Sequence, residues 1–216
     1  MGQQYLMRLF FGRPGCGKTT FAAKLLRQSR FHRYCNFDTK IADQISLDGL
    51  GDRWVLPVAS HLVIDEASIE FNNRDYKTMK SGTRQWFKLH RHYRCPVDLF
   101  SQAWDDVDIT LRRLTDEIWY LRRVGPFTFA RKVKKEVCID QQSQQIIDGY
   151  KFIPLWHALF FEKVLMCCYR PKYYKFFNSF ECPTGIPVKY SEGDIRDDDE
   201  RSFDAPPRLK SLLDRH

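Results

Sequence analysis

Eight residues near the start of the chain have the types and spacing of a phosphate-binding loop. The stretch Gly12-Arg13-Pro14-Gly15-Cys16-Gly17-Lys18-Thr19 fits the pattern G-x-x-x-x-G-K-[ST]. Its glycines let the backbone turn N–H groups inward onto phosphate oxygens. Lys18 supplies a positive charge for the β- and γ-phosphates of a nucleotide, and the Thr19 hydroxyl is a ligand for Mg²⁺. The pattern predicts an ATP and Mg²⁺ site formed by residues 12–19 together with Thr20.

The residues on either side of this loop have the periodicity that the motif requires. The apolar stretch from Tyr5 to Phe11 predicts a strand, and the apolar residues after the loop recur at helical spacing, at Phe21, Ala22, Leu25 and Leu26. A strand, a Gly-rich loop and a helix are the context of a functional phosphate loop. The alternative is a Gly-rich turn that fits the pattern by chance.

A second segment ends in two adjacent carboxylates. His61-Leu62-Val63-Ile64 reads as a buried strand, and Asp65 and Glu66 follow it directly. We interpret Asp65 as part of the Mg²⁺ shell and Glu66 as the general base, or as the residue that positions the attacking water. The alternative is a helix N-terminus with acidic residues in its first turn. Together with the loop, this segment predicts an α/β fold of the P-loop NTPase class, a mainly parallel sheet flanked by helices.

Two further segments supply candidates for the γ-phosphate end of the site. The predicted strand from Val97 to Gln102 ends in Gln102, a polar residue that can reach the γ-phosphate or the attacking water. A short helix is predicted between Asp106 and Leu114. Its residues Arg112 and Arg113 are candidates for an arginine finger that acts on a neighbouring subunit, with a plain surface arginine as the alternative for each.

The next two strands predict an antiparallel hairpin added to the parallel sheet. Glu117–Val124 and Phe127–Val137 flank the turn Gly125-Pro126. The formal net charge of the chain is +8, and basic residues cluster on this hairpin at Arg122, Arg123, Arg131, Lys132, Lys134 and Lys135. Such a cluster favours a polyanionic partner, either nucleic acid or an anionic lipid surface.

The remaining sequence predicts one domain with a tail. A buried helix is expected from Leu155 to about Tyr169. The aromatic and basic stretch 172–177 is interpreted as an edge strand, with base stacking as the alternative. Residues 1–190 are taken as the P-loop domain. The segment 191–216, with its acidic run at 197–200 and Pro206-Pro207, is predicted to be a flexible acidic tail.

Cysteine usage and the absence of targeting signals indicate a reducing compartment. The number of cysteines, seven, is odd, and no two of them form a C-x-x-C pair. This pattern favours free thiols. The start of the chain shows no signal peptide. The longest apolar run, 155–169, contains His157, Glu162 and Lys163, so we expect no transmembrane segment in this chain.

Several of these segments taken together resemble the N-terminal ATPase domain of the zonula occludens toxin (Zot) family, which includes the assembly ATPases of filamentous phages. The resemblance covers roughly residues 5–180. Beyond the phosphate loop it lies in the stretches 64–67, 90–92, 98–102, 109–114, 119–123 and 174–179. It departs from the family pattern where the sequence ends, since many members continue into a transmembrane helix and an outer domain.

The resemblance implies a P-loop ATPase related to DNA motors of the FtsK and HerA type. It implies a homo-oligomer, expected to be a hexameric ring, which holds nucleotide between subunits and handles single-stranded DNA during virion assembly. Gln102 matches the polar sensor position, and Arg112 or Arg113 matches the region of an arginine acting between subunits. A membrane-protein partner and a location in the bacterial host cytoplasm, peripheral to the inner membrane, follow from the same resemblance.

Three functions remain open at this point. The first is an ATP-hydrolysing motor of phage or mobile-element morphogenesis. The second is a nucleotide-gated assembly scaffold with little hydrolysis, which docks on a membrane partner. The third is a small P-loop kinase; the Asp65-Glu66 pair suits water activation better, and the sequence shows no clear lid segment.

Overall fold

A computed structural model describes residues 5–71, 80–139, 146–154 and 163–177 of the 216-residue chain. All of these residues belong to one compact unit, Met1–Thr184. The predicted acidic tail at 191–216 lies outside the described residues, as does the part of the predicted helix from 155 to 162. None of the helices in the described ranges is both long and apolar enough to span a membrane.

The described residues form a nine-stranded sheet with helices on its faces. Its strands are β1 (Met7–Phe11), β2 (His32–Cys35), β3 (Asp43–Gln44), β4 (Ser60–Ile64), β5 (Val97–Ser101), β6 (Glu117–Val124), β7 (Phe127–Ile139), β8 (Ile146–Phe152) and β9 (Leu165–Tyr169). The helices are α1 (Lys18–Gln28), α2 (Ala67–Glu70), α3 (Ser81–Leu89) and α4 (Ile109–Leu114), followed by a 3₁₀ helix (Arg170–Phe176).

The strand order is β3-β2-β4-β5-β1-β6-β7-β8, and β9 pairs with β7. The pairs from β3 through β6 are parallel, whereas β6–β7, β7–β8 and β7–β9 are antiparallel. The predicted fold class, a mainly parallel sheet with an added antiparallel hairpin, is therefore confirmed. Because parallel strands end at the same edge of a sheet, the residues that follow β1, β4 and β5 lie next to one another.

Aromatic and aliphatic side chains fill both faces of the sheet. On one face α1 packs on β1 and β5, where the Phe10 and Phe100 rings stack with centroids 4.8 Å apart. On the other face Trp86 and Phe87 of α3 and Leu111 of α4 are buried against the sheet. The central strands of the sheet are therefore packed on both faces.

A buried ion-pair network crosses three central strands. Asp98 of β5 is fully buried; it accepts hydrogen bonds from Arg8 at 2.6 and 2.7 Å and lies 2.9 Å from His61 Nε2. Burial alone would raise the pKa of Asp98, but the charge of Arg8 and the contact with His61 outweigh it and lower the pKa to about 2. The network ties β1, β4 and β5 together near the start of each strand.

Two predictions near the C-terminal end of the described chain are wrong. Leu165–Tyr169 is strand β9 and not the end of a helix, because it supplies hydrogen-bonding partners to β7 from Phe127 to Arg131. Its side chains alternate between exposed and buried, which is the strand period. The stretch predicted as an edge strand at 172–177 is mostly 3₁₀ helix, which begins with Arg170-Pro171 and buries Tyr173.

Candidate nucleotide-binding site

The loop between β1 and α1 has the backbone shape of a phosphate cradle. Gly17 caps α1 with a φ of 92°, a conformation that favours glycine, and a Cβ on it would overlap the Thr128 hydroxyl. Helix α1 begins at Lys18, so the unpaired N–H groups of its first turn and its positive dipole end face the loop. The loop can therefore surround an anionic group with backbone donors.

Lys18 and Thr19 are held at the mouth of this cradle. Lys18 is only 7% exposed; its Nζ donates to the Gly12 carbonyl at 3.3 Å and lies 3.8 Å from Glu66 Oε1. The Thr19 hydroxyl donates to Asp65 Oδ2 at 2.6 Å. A hard cation takes oxygen ligands, so this pair fits Mg²⁺. No cluster of three metal-ligating side chains occurs among the described residues, so phosphate oxygens and water would complete the shell.

Asp65 is fixed by a neighbour that the sequence analysis did not identify. The Asn36 side chain accepts from the Asp65 N–H at 2.8 Å and donates to the Asp65 carbonyl at 2.9 Å. Asn36 follows β2, the strand beside β4, and is buried. Burial raises the pKa of Asp65, against the lowering effect of the hydrogen bond from Thr19. A bound cation would favour the ionised carboxylate.

Glu66 occupies a strained position beside Gln102. Its φ of 48° and ψ of 49° lie in the left-handed region, which costs a non-glycine residue on the order of 1 kcal/mol. The Gln102 Nε2 donates to both carboxylate oxygens of Glu66, at 3.3 and 3.4 Å. Strain of this kind concentrates at functional sites. The two candidates for the γ-phosphate end thus meet, although 36 residues separate them.

The two candidate finger arginines have different environments. Arg112 is buried, with its guanidinium 5.5 Å from the centre of the Trp104 ring, and its carbonyl accepts a hydrogen bond from Lys135. Arg113 is exposed. Both arginines line a cleft of about 850 Å³ that also includes Gly12 and Gln102. Of the two, Arg113 has the exposure that a residue acting on another subunit needs.

The hairpin supports the loop from behind. The Thr128 hydroxyl of β7 donates to the Cys16 carbonyl at 2.7 Å, which pairs this loop carbonyl with the hairpin. Cys168 of β9 lies with its sulfur 3.8 Å from the Thr20 carbonyl, and Lys24 of α1 donates to the Cys167 carbonyl. These contacts join the loop and the first turns of α1 to the antiparallel part of the sheet.

The basic residues of the hairpin are divided between surface and interior. Arg122, Arg123 and Lys134 are exposed. By contrast, Lys132 is 8% exposed and binds Glu117 at 2.9 Å, and Lys135 is exposed but already donates to the Arg112 carbonyl. Arg122, Arg123 and Lys134 are therefore the members most available to a polyanion.

No known family model matches the sequence, and no curated protein matches it. Among solved structures, the chain is similar to the N-terminal domain of zonular occludens toxin from Neisseria meningitidis. The two share 17% identity at a TM-score of 0.50, over 71% of this chain and 96% of the other. The fold is that of a P-loop NTPase, as the strand order and the loop indicate.

Two more distant structures resemble this chain as well. One is the genome packaging NTPase B204 from Sulfolobus turreted icosahedral virus 2 in complex with ATP-gammaS, at 15% identity and a TM-score of 0.41, over 58% of this chain and 78% of that one. The other is the RadB recombinase, at 15% identity and a TM-score of 0.43, over 59% and 80% of the two chains.

Proposed function

We propose that this protein is an ATP-hydrolysing motor that acts in the assembly or DNA handling of a single-stranded-DNA, filamentous-type phage or mobile element. The observation that carries the proposal is the meeting of Thr19, Asp65, Glu66 and Gln102 beside Lys18 at one edge of the sheet. A kinase needs a site for a phosphate acceptor, whereas a carboxylate with a polar neighbour suits activation of water.

The roles of the residues follow from their positions. The loop backbone and Lys18 bind the β- and γ-phosphates, and Lys18 offsets charge that develops on them. Thr19 and Asp65 would hold Mg²⁺, which would supply positive charge to offset that of the phosphates. Glu66 accepts the proton of the attacking water. Gln102 orients the Glu66 carboxylate, which already accepts from its amide.

The oligomer and its partners are part of the same proposal. By resemblance, the chain forms a ring of six subunits, with Arg113 the better placed candidate to reach the nucleotide of a neighbour. The exposed Arg122, Arg123 and Lys134 bind the phosphates of single-stranded DNA. The ring works in the host cytoplasm, against a membrane protein of the assembly machinery at the inner membrane.

The DNA part of this proposal is tested by ATP turnover with and without single-stranded DNA, measured alongside mass by light scattering. We expect the protein to form a ring, and we expect single-stranded DNA to increase its rate of ATP turnover. We also expect DNA affinity to fall steeply between about 50 and 200 mM salt, since each neutralised phosphate releases counterions. A ring that binds ATP, hydrolyses little of it and does not bind DNA at low salt would instead indicate the assembly scaffold.

A further inference from the structure

Arg170 lies directly against the phosphate loop. It is the first residue of the 3₁₀ helix, and its N–H donates to the Pro126 carbonyl at 3.0 Å, which fixes the start of that helix at the hairpin turn. Its Nε and Cδ lie 3.1 and 3.3 Å from the position that a Cβ on Gly17 would occupy. The absence of a side chain at Gly17 is what gives the arginine this place.

The side chain of Arg170 has no protein acceptor in the described part of the structure. Its Nε is buried and makes no hydrogen bond, and no carboxylate in the described ranges pairs with its guanidinium. The guanidinium carbon lies 5.6 Å from the centre of the Tyr174 ring, and Tyr174 is 47% exposed. A buried donor left unpaired is costly, so a ligand at the loop is the natural acceptor.

The order of the strands indicates which end of a nucleotide Arg170 faces. Glu66 and Gln102 follow β4 and β5, which lie on one side of β1. Arg170 follows β9, which lies on the other side of β1, beyond β6 and β7. A nucleotide that runs along this edge with its γ-phosphate at Glu66 would extend its α-phosphate and nucleoside toward Arg170 and Tyr174.

We propose that Arg170 binds the nucleotide of its own subunit, contacting the α-phosphate side, with the Tyr174 ring as the adjoining wall. This inference rests on the proposed nucleotide function. Such an arginine contributes binding energy that is equal in the ground state and the transition state, because it is remote from the bond that breaks. It differs in this from a finger arginine, which accelerates the chemical step.

The test compares Arg170→Gln with Lys172→Gln. Both remove one positive charge from the same 3₁₀ helix, but Lys172 is exposed, whereas Arg170 packs against Gly17. We expect Arg170→Gln to weaken ATP and ADP binding alike, by about tenfold, to raise KM and to leave kcat at saturating ATP unchanged. Lys172→Gln should resemble the wild type. Glutamine keeps part of the aliphatic portion of the arginine side chain. Thermal melting of each variant without nucleotide checks that the fold is intact.

Three other results would overturn the assignment of Arg170 to the α-phosphate side of the nucleotide. Unchanged affinities for both nucleotides would overturn the inference, and so would a loss confined to ATP or to kcat, which would put Arg170 at the γ-phosphate. A folded Arg170→Gln that behaves as Lys172→Gln would do the same. If the wild-type protein itself bound neither nucleotide, the proposed function would fail, and this result is distinct from a failure of the Arg170 assignment alone.

Discussion

Replacing Glu66 by Gln is expected to reduce ATP turnover by about 10²–10⁴-fold while ATP binding is retained, because the amide cannot accept the proton of the attacking water. The substitution keeps the shape of the side chain and a polar group next to Gln102. It also removes the charge 3.8 Å from Lys18, which leaves that lysine available to phosphate. Turnover and nucleotide affinity measured on the same preparation separate the two effects.

Glu70→Gln is the matched control for this experiment. Glu70 is the last residue of the same short helix α2, and its carboxylate lies 3.5 Å from the Asn36 amide, not at the loop. We expect its turnover to stay within a few-fold of the wild type. Equal turnover in wild type and Glu66→Gln would show that Glu66 is not the base.

Asp98→Asn is expected to destabilise the fold by about 3–5 kcal/mol, because it leaves Arg8 and His61 without their buried partner. The free energy of unfolding, measured by chemical denaturation, checks this value. Asp43→Asn is the control, since Asp43 and its partner His32 are both 66% exposed. Surface pairs of that kind contribute on the order of 0–1 kcal/mol. A cost below 1 kcal/mol for Asp98→Asn would contradict the role of the network.

The same carboxylate gives stability a defined pH dependence. The pKa of Asp98 is lowered from 3.8 to about 2 in the folded protein, so its contribution is complete above pH 4. It is lost as the pH falls from about 4 through 2, where the folded protein finally takes up the proton. The stability of Asp98→Asn should therefore fall less steeply over this range than that of the wild type.

The parts of the site that lie at the ends of strands were predictable from sequence. Asp65 and Gln102 directly follow short, mainly apolar runs. Lys18 begins the helix that comes after such a run. Because parallel strands bring their carboxyl ends to one edge, identifying the strands is enough to place these residues together. In the structure Thr19 contacts Asp65, and Lys18 and Gln102 both lie beside Glu66.

The supporting residues were not predictable, because their contacts depend on pairing between distant segments. Thr128 reaches the Cys16 carbonyl across 112 residues, and Arg170 reaches Gly17 only because β9 pairs with β7. Strand β9 itself was misread because its exposed positions, such as Leu165, are as apolar as its buried ones. An apolar run of this kind has no polar alternation to distinguish a strand from a helix.

The central claim is that residues 12–19 bind ATP and, with Glu66, hydrolyse it. The most direct test is the rate of Mg²⁺-dependent ATP hydrolysis by the wild type, by Lys18→Ala and by Lys88→Ala, which changes an exposed lysine of α3. We predict measurable turnover by the wild type and Lys88→Ala, and turnover at background for Lys18→Ala, which lacks the charge on the phosphates. Equal rates for wild type and Lys18→Ala, or no turnover by any of the three, would contradict the claim.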